Sequence, residues 1–183
     1  MESPVFYTVT ETAARAGHYR WVEQRLFELM GSWASGAQLD NEEAEYWVGT
    51  QSYHHEFLAE LWAKRLSTLG FDPAPIAPSS QIDAALSIER WDAYSAAGKL
   101  AGLYRVLVPR IMSTYQRHLS CIDPMVDGPT ARVLNLCLND YRSDWAEGER
   151  VVQSALAQTD DIEDIYVAQQ QVEKTFSSSP GLI

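Results

Sequence analysis

Apolar residues recur every three to four positions in long runs along this chain, and no stretch alternates strictly, so the pattern predicts helices and no sheet. Thr8-Val9-Thr10-Glu11 is a capping-box pattern, and Trp21, Val22, Leu26, Leu29, Met30 and Trp33 follow at helical spacing. They predict a first helix from Thr8 to about Ala34. Gly36 and Asp40 punctuate the break, and Asp40 with Glu43 gives a second N-cap signal. Trp47, Thr50, His54, Phe57, Leu58 and Leu61 then mark a second helix to about Leu69, with Gly70 as its C-cap.

The segment FDPAPIAPSS carries three prolines and two serines, which suit a long crossing connection rather than a hairpin loop. From about Ser87 to Leu119 the stripe Ile88, Trp91, Ser95, Gly98, Ala101, Tyr104, Val108, Ile111, Tyr115 and Leu119 predicts a third helix, kinked where Pro109 removes a backbone donor. Pro129 suits the first turn of a fourth helix that carries Val133, Leu136, Cys137, Tyr141, Trp145, Gly148 and Val152 and ends near Gln158. Asp160, Asp161, Glu163 and Asp164 complement the N-terminal dipole of a short fifth helix with Ile162, Ile165, Tyr166, Gln169, Val172 and Phe176 on one stripe. The expected organisation is one all-α domain over residues 1–176, with 177–183 a disordered tail. Two short loops and one long crossover after helix two favour ferritin-like connectivity over an up-and-down bundle.

Charge removes one class of partner. The chain has 14 basic and 25 acidic residues, a net charge of −11, and no basic stripe, so a nucleic acid is not an expected partner. No run of eighteen apolar residues offers a membrane span, and MESPVFYTVTE lacks the basic-then-apolar order of a secretory signal, so a cytoplasmic protein is expected. Cys121 and Cys137 have neither a paired nor a finger spacing and are expected to be reduced. There is no glycine-rich phosphate loop and no Gly-x-Ser-x-Gly elbow.

The stretches YRWVEQRLFELMGSW, QSYHHEFLAELWAKRL, GLYRVLVPRIMSTYQRHL and LCLNDYRSDWAEGE resemble the four helices of small ferritin-like proteins, over roughly residues 8 to 158. That resemblance implies a four-helix bundle with a short additional C-terminal helix, and a mid-bundle site. Di-iron members supply a Glu from each of two helices and Glu-x-x-His from the other two. This chain has no Glu-x-x-His. On its matching positions Glu23 stands for an acidic ligand, Gln51-x-x-His54 is a damaged motif in helix two, and Asp140 with Asp144 replaces the motif of helix four. Helix three offers only Glu89, near its start. The set Glu23, His54, Asp140 and Asp144 suits one metal, iron or manganese, better than two. His54 would then act as general base or metal ligand with Glu23 beside it, on a small organic molecule that is oxidised or rearranged.

Several competing expectations stand beside this. Glu23 and Asp144 could instead be partnered by Arg20, Arg105 or Arg142, because a buried carboxylate requires a partner. Six Trp and nine Tyr could line a pocket for a flat ligand, or simply fill the core. A metal-free accessory or scaffold protein of the same shape is the rival from another class. Exposed apolar positions on helix three would allow a homodimer. Asn139-Asp140-x-x-Ser143-x-x-x-Glu147 and Asp160-Asp161-x-x-Asp164 resemble the magnesium motifs of class I terpene synthases, but their order is reversed and the chain is much shorter than those enzymes.

Overall fold

The computed structural model describes residues 6–36, 38–39, 41–158 and 162–177, and every regular element in them is helical. Two long helices come first, α1 (Val9–Ser35) and α2 (Glu42–Leu69). The crossing segment holds two short ones, α3 (Ser80–Ala85) and α4 (Ile88–Trp91). Next α5 (Ala96–Ala101) runs through a π-helical segment, Gly102–Leu107, into α6 (Val108–Ser120). The chain continues with α7 (Gly128–Leu156) and α8 (Ile162–Ser177). Among the described residues no helix is long and apolar enough to cross a membrane.

The ends follow from local chemistry. At α1 the Glu11 amide donates to Thr8 Oγ1 at 3.2 Å and Glu11 Oε2 accepts from the Thr8 amide at 2.8 Å, closing the expected box. The cap of α2 is Asn41, whose Oδ1 accepts from the Ala44 amide at 3.0 Å; the expected cap Asp40 lies outside the described residues. Gly70 ends α2 at φ 82°, in the left-handed region that favours glycine. Asp127 caps α7 through the Thr130 amide, and Pro129 sits in the first turn, where a missing N–H costs nothing.

The expected single helix from Ser87 to Leu119 is divided. Ile88–Trp91 forms a separate turn, and α5 restarts at Ser95, whose hydroxyl accepts from the Gly98 amide. The distortion expected at Pro109 lies one turn earlier. Pro109 has no amide hydrogen for the carbonyl four residues back, and the backbone meets this with a π register, in which the Val108 amide donates to Leu103 O. Proline itself is then accommodated at the start of α6. The expected fifth helix exists as α8, but its buried face is Ile165, Ala168, Val172 and Phe176, while Ile162 and Tyr166 are exposed. Ser177 closes α8, and the remainder of the expected tail lies outside the described residues.

The short connection after α1 folds α2 back along it, and this pair forms the most extensive contact between elements. The α5–π–α6 rod and α7 complete the bundle, with α8 laid across α3, α5 and the π segment. The core is aromatic at its centre. Tyr19 packs on Trp62 and Tyr115 with ring centroids 4.9 and 4.6 Å apart, and Trp33 meets Trp91 at 5.4 Å. Gly148 of α7 is required here, because a Cβ would lie 2.1 Å from the Tyr104 ring.

Candidate functional site

Glu23 sits in the middle of α1 among Trp21, Val22 and Leu26 and is wholly enclosed, at 0% exposure. A buried carboxylate is tolerated only with partners of good geometry. Glu23 has three, from three other segments. Tyr115 of α6 donates to Oε1 at 2.5 Å, Tyr141 of α7 reaches both oxygens at 3.0 Å, and His55 Nδ1 of α2 lies 2.6 Å from Oε2. With Glu23 ionised it can only accept, so His55 Nδ1 carries the proton in that bond. Burial pushes the Tyr115 and Tyr141 hydroxyls well above their usual range, and the Glu23 charge adds to this, so both phenols keep their protons and donate. The node is complete: every polar atom named in it that faces the core is matched.

A second node adjoins it. Asp144 follows Tyr141 by one turn of α7 and is also buried. His54 Nδ1 lies 3.5 Å from each of its oxygens, with half of the His54 side chain in solvent. Burial raises the Asp144 carboxyl above the ordinary range, and the nearby imidazoles of His54 and His55 oppose that rise. Around this carboxylate the polar groups are not matched. Gln51 is 1% exposed, and neither its amide nitrogen nor its oxygen is in hydrogen-bond geometry, although it lies near enough to Asp144 to favour the ionised form. Trp47 Nε1 and the Tyr104 hydroxyl are also buried; they lie near enough for the indole N–H to act on the phenol oxygen, but outside good hydrogen-bond geometry. Burial lifts the Tyr104 hydroxyl, the neighbouring Trp47 works against it, and the Asp144 charge adds to the rise.

Tyr104 is delivered by the π segment, which is tethered to α7 where Arg105 donates to both Glu149 oxygens at 2.6 and 3.0 Å. On the outer side, His54 forms part of the wall of a hollow of about 390 Å³ with Tyr46, Gly49, Thr50 and Tyr53.

The residues expected from sequence are thus divided. Glu23 is at the centre, Asp144 lies between centre and surface, and His54 stands at the surface. Asp140 is half-buried one turn before Asp144 and joins neither node; it acts on the neighbouring Cys137 thiol, which burial has already raised. The imidazole that enters the core is His55 rather than His54. The expected arginine partners are elsewhere, since Arg105 binds Glu149 and Glu23 is held by phenols and an imidazole. Among the described residues no group of three or more His, Cys, Asp or Glu side chains is close enough to hold a metal ion. Of the terpene-synthase-like stretch, Asn139, Ser143 and Glu147 are exposed on α7 and Glu147 pairs with Arg150, while Asp160 and Asp161 lie outside the described residues.

Sequence reasoning did not place His55, Tyr115 and Tyr141 on Glu23. A signal for His55 existed: counting back seven residues, two turns, from the core residue Trp62 reaches position 55. Comparison with protein-family profiles, with curated proteins and with solved structures finds no match to this chain.

Proposed function

We propose that this protein binds a small organic molecule against the His54–Asp144 pair, and that the Glu23 node braces the walls of that site rather than holding an ion. The observation that carries this reading is the contrast between two adjoining polar nodes. Both Glu23 oxygens, the two phenol hydroxyls and His55 Nδ1 are matched to one another, which is what a structural pin between four segments requires. Around Asp144, four buried polar atoms of Gln51, Trp47 and Tyr104 lie outside good hydrogen-bond geometry, with only each other and the carboxylate nearby. Such groups are rare in folded proteins and mark places where water or a ligand supplies the partners. The amide donor and acceptor of Gln51, the indole N–H and the phenol suit a ligand with both donors and acceptors. The raised Asp144 carboxyl and the half-exposed His54 could exchange a proton with it. A ferritin-like arrangement is the shape we propose, supported by the long crossover through α3 and α4 between α2 and the third rod.

Ligand-observed NMR with a panel of small amides, heteroaromatics and carboxylic acids tests the reading. Binders should compete with one another, shift His54, and lose affinity in both Gln51→Leu and Asp144→Asn. If every binder is retained unchanged by both folded variants, the reading fails.

A second reading has its own supporting observation. An imidazole nitrogen and two phenol oxygens from three other segments lie within 2.5–3.0 Å of the Glu23 carboxylate, a donor set that could take one iron or manganese ion if the phenols ionised. It requires stoichiometric metal that Glu23→Gln removes.

A further inference from the structure

Ten residues along α2 from His54, about 15 Å along the helix axis, a second hollow opens between the C-terminal half of α2 and the first turns of α7. It measures about 860 Å³ and is lined by Leu61, Lys64, Arg65 and Thr68 on one side and by Pro129, Arg132 and Val133 on the other. That volume lies within the range of ligand pockets, roughly 300–1,000 Å³. Its walls combine two chemistries. Leu61, Pro129 and Val133 are apolar, and every charged residue of the lining is basic, in a chain where acids outnumber bases 25 to 14.

The three basic residues are not equivalent. Arg65 is a fixed element of the wall: its side chain is 12% exposed, and it donates to Thr130 Oγ1 at 2.6 Å, Asp127 Oδ1 at 2.6 Å and Thr68 Oγ1 at 3.1 Å. Asp127 neutralises it and is itself held as the cap of α7. Lys64 and Arg132 are exposed at the rim, and neither has an ion-pair partner among the described residues. The Arg65 clamp joins α2 to α7 and so fixes the gap across which those two free cations face the apolar floor.

We infer that this hollow binds an amphiphilic anion, a small molecule with an apolar body seated on Leu61, Pro129 and Val133 and a carboxylate or phosphate held by Lys64 and Arg132. Guanidinium groups bind planar or tetrahedral oxyanions through paired donors, and the ammonium adds a mobile point charge. An uncharged molecule with the same body gains only the floor. This inference is independent of the proposal for His54 and Asp144, since no residue is shared.

Titration of the full chain with octanoate, octyl phosphate and octanol, followed by amide NMR shifts and calorimetry, tests it. Either anion should saturate with shifts centred on Lys64, Thr68, Gly128 and Arg132, about tenfold or more tighter than octanol. Which anion binds better identifies the headgroup. The double variant Lys64→Ala/Arg132→Ala, whose changes are at exposed positions, should keep its melting temperature and octanol binding and lose at least about tenfold in affinity for the anion. Shifts elsewhere, anion binding no tighter than that of octanol, or undiminished affinity in the folded double variant would each overturn the inference. Gln51→Leu should leave this binding unchanged.

Discussion

Gln51→Leu should make the protein more stable, against the usual direction for a core substitution. Gln51 is 1% exposed with both amide atoms unmatched. A buried polar group without a partner costs about 1–3 kcal/mol, and leucine of similar size removes that cost while adding apolar burial. Two opposing effects reduce the gain. The amide favours the ionised form of nearby Asp144, and a branched side chain in place of a linear one strains the packing, for a cost of under about 1.5 kcal/mol. The expected net is a stabilisation of about 1–2 kcal/mol, or a rise in melting temperature of about 2–8 °C in a domain of this size. Urea denaturation reads it as a higher midpoint at unchanged slope, and calorimetry as the melting shift. A loss of about 1 kcal/mol or more would refute the reasoning, because it would mean that the amide is matched in solution, by ordered water for instance. Paired with lost ligand binding, the gain would mark Gln51 as a residue kept for function at the expense of stability.

Further outcomes follow from the same geometry. Tyr115→Phe and Tyr141→Phe each remove a donor to the buried Glu23 carboxylate and should cost about 1.5–3 kcal/mol in urea titrations, with the double variant non-additive because both bonds end on one group. Gly148→Ala places a methyl 2.1–2.5 Å from the Tyr104 ring and should cost about 1–3 kcal/mol or more, with partial rescue by Tyr104→Leu. His118 is buried, with Tyr19 Oη 2.9 Å from its Nδ1, and burial with the Arg15 charge lowers it to about 4 from an ordinary 6.5. Between those values the unfolded chain binds a proton that the folded chain refuses, so stability should fall as pH drops from about 6.5 toward 4, and His118→Gln should flatten that slope.

Much of the helical framework was legible because its signals are local. The Thr8–Glu11 box, Gly70 and Pro129 each act through neighbours a turn away, and each appears where the pattern predicts it. The place of the distortion in the third helix was not legible, because Pro109 reports a missing donor without saying where the backbone will absorb it. The site was legible in part. Glu23 stands out as an acid on an apolar stripe. His54 and His55 are adjacent, about 100° apart around the helix, and the stripe through Trp47, Thr50, His54 and Phe57 is rotated by one residue from the buried one through Val48, Gln51, His55, Leu58 and Trp62. Phe57, on the stripe with His54, is 51% exposed. Tyr115 and Tyr141 read as core rings, and core rings they are. That their hydroxyls meet on Glu23 depends on the mutual register of three helices, which no single stretch encodes.

Metal content measured together with chelator sensitivity bears most directly on the central claim, that the Glu23 node is complete as a hydrogen-bonded unit. Protein purified without chelator should carry no stoichiometric iron or manganese, and its melting temperature should be the same before and after exhaustive chelation. One ion per chain, lost with a marked fall in melting temperature and absent from Glu23→Gln, would contradict the account and make the four converging groups a metal centre.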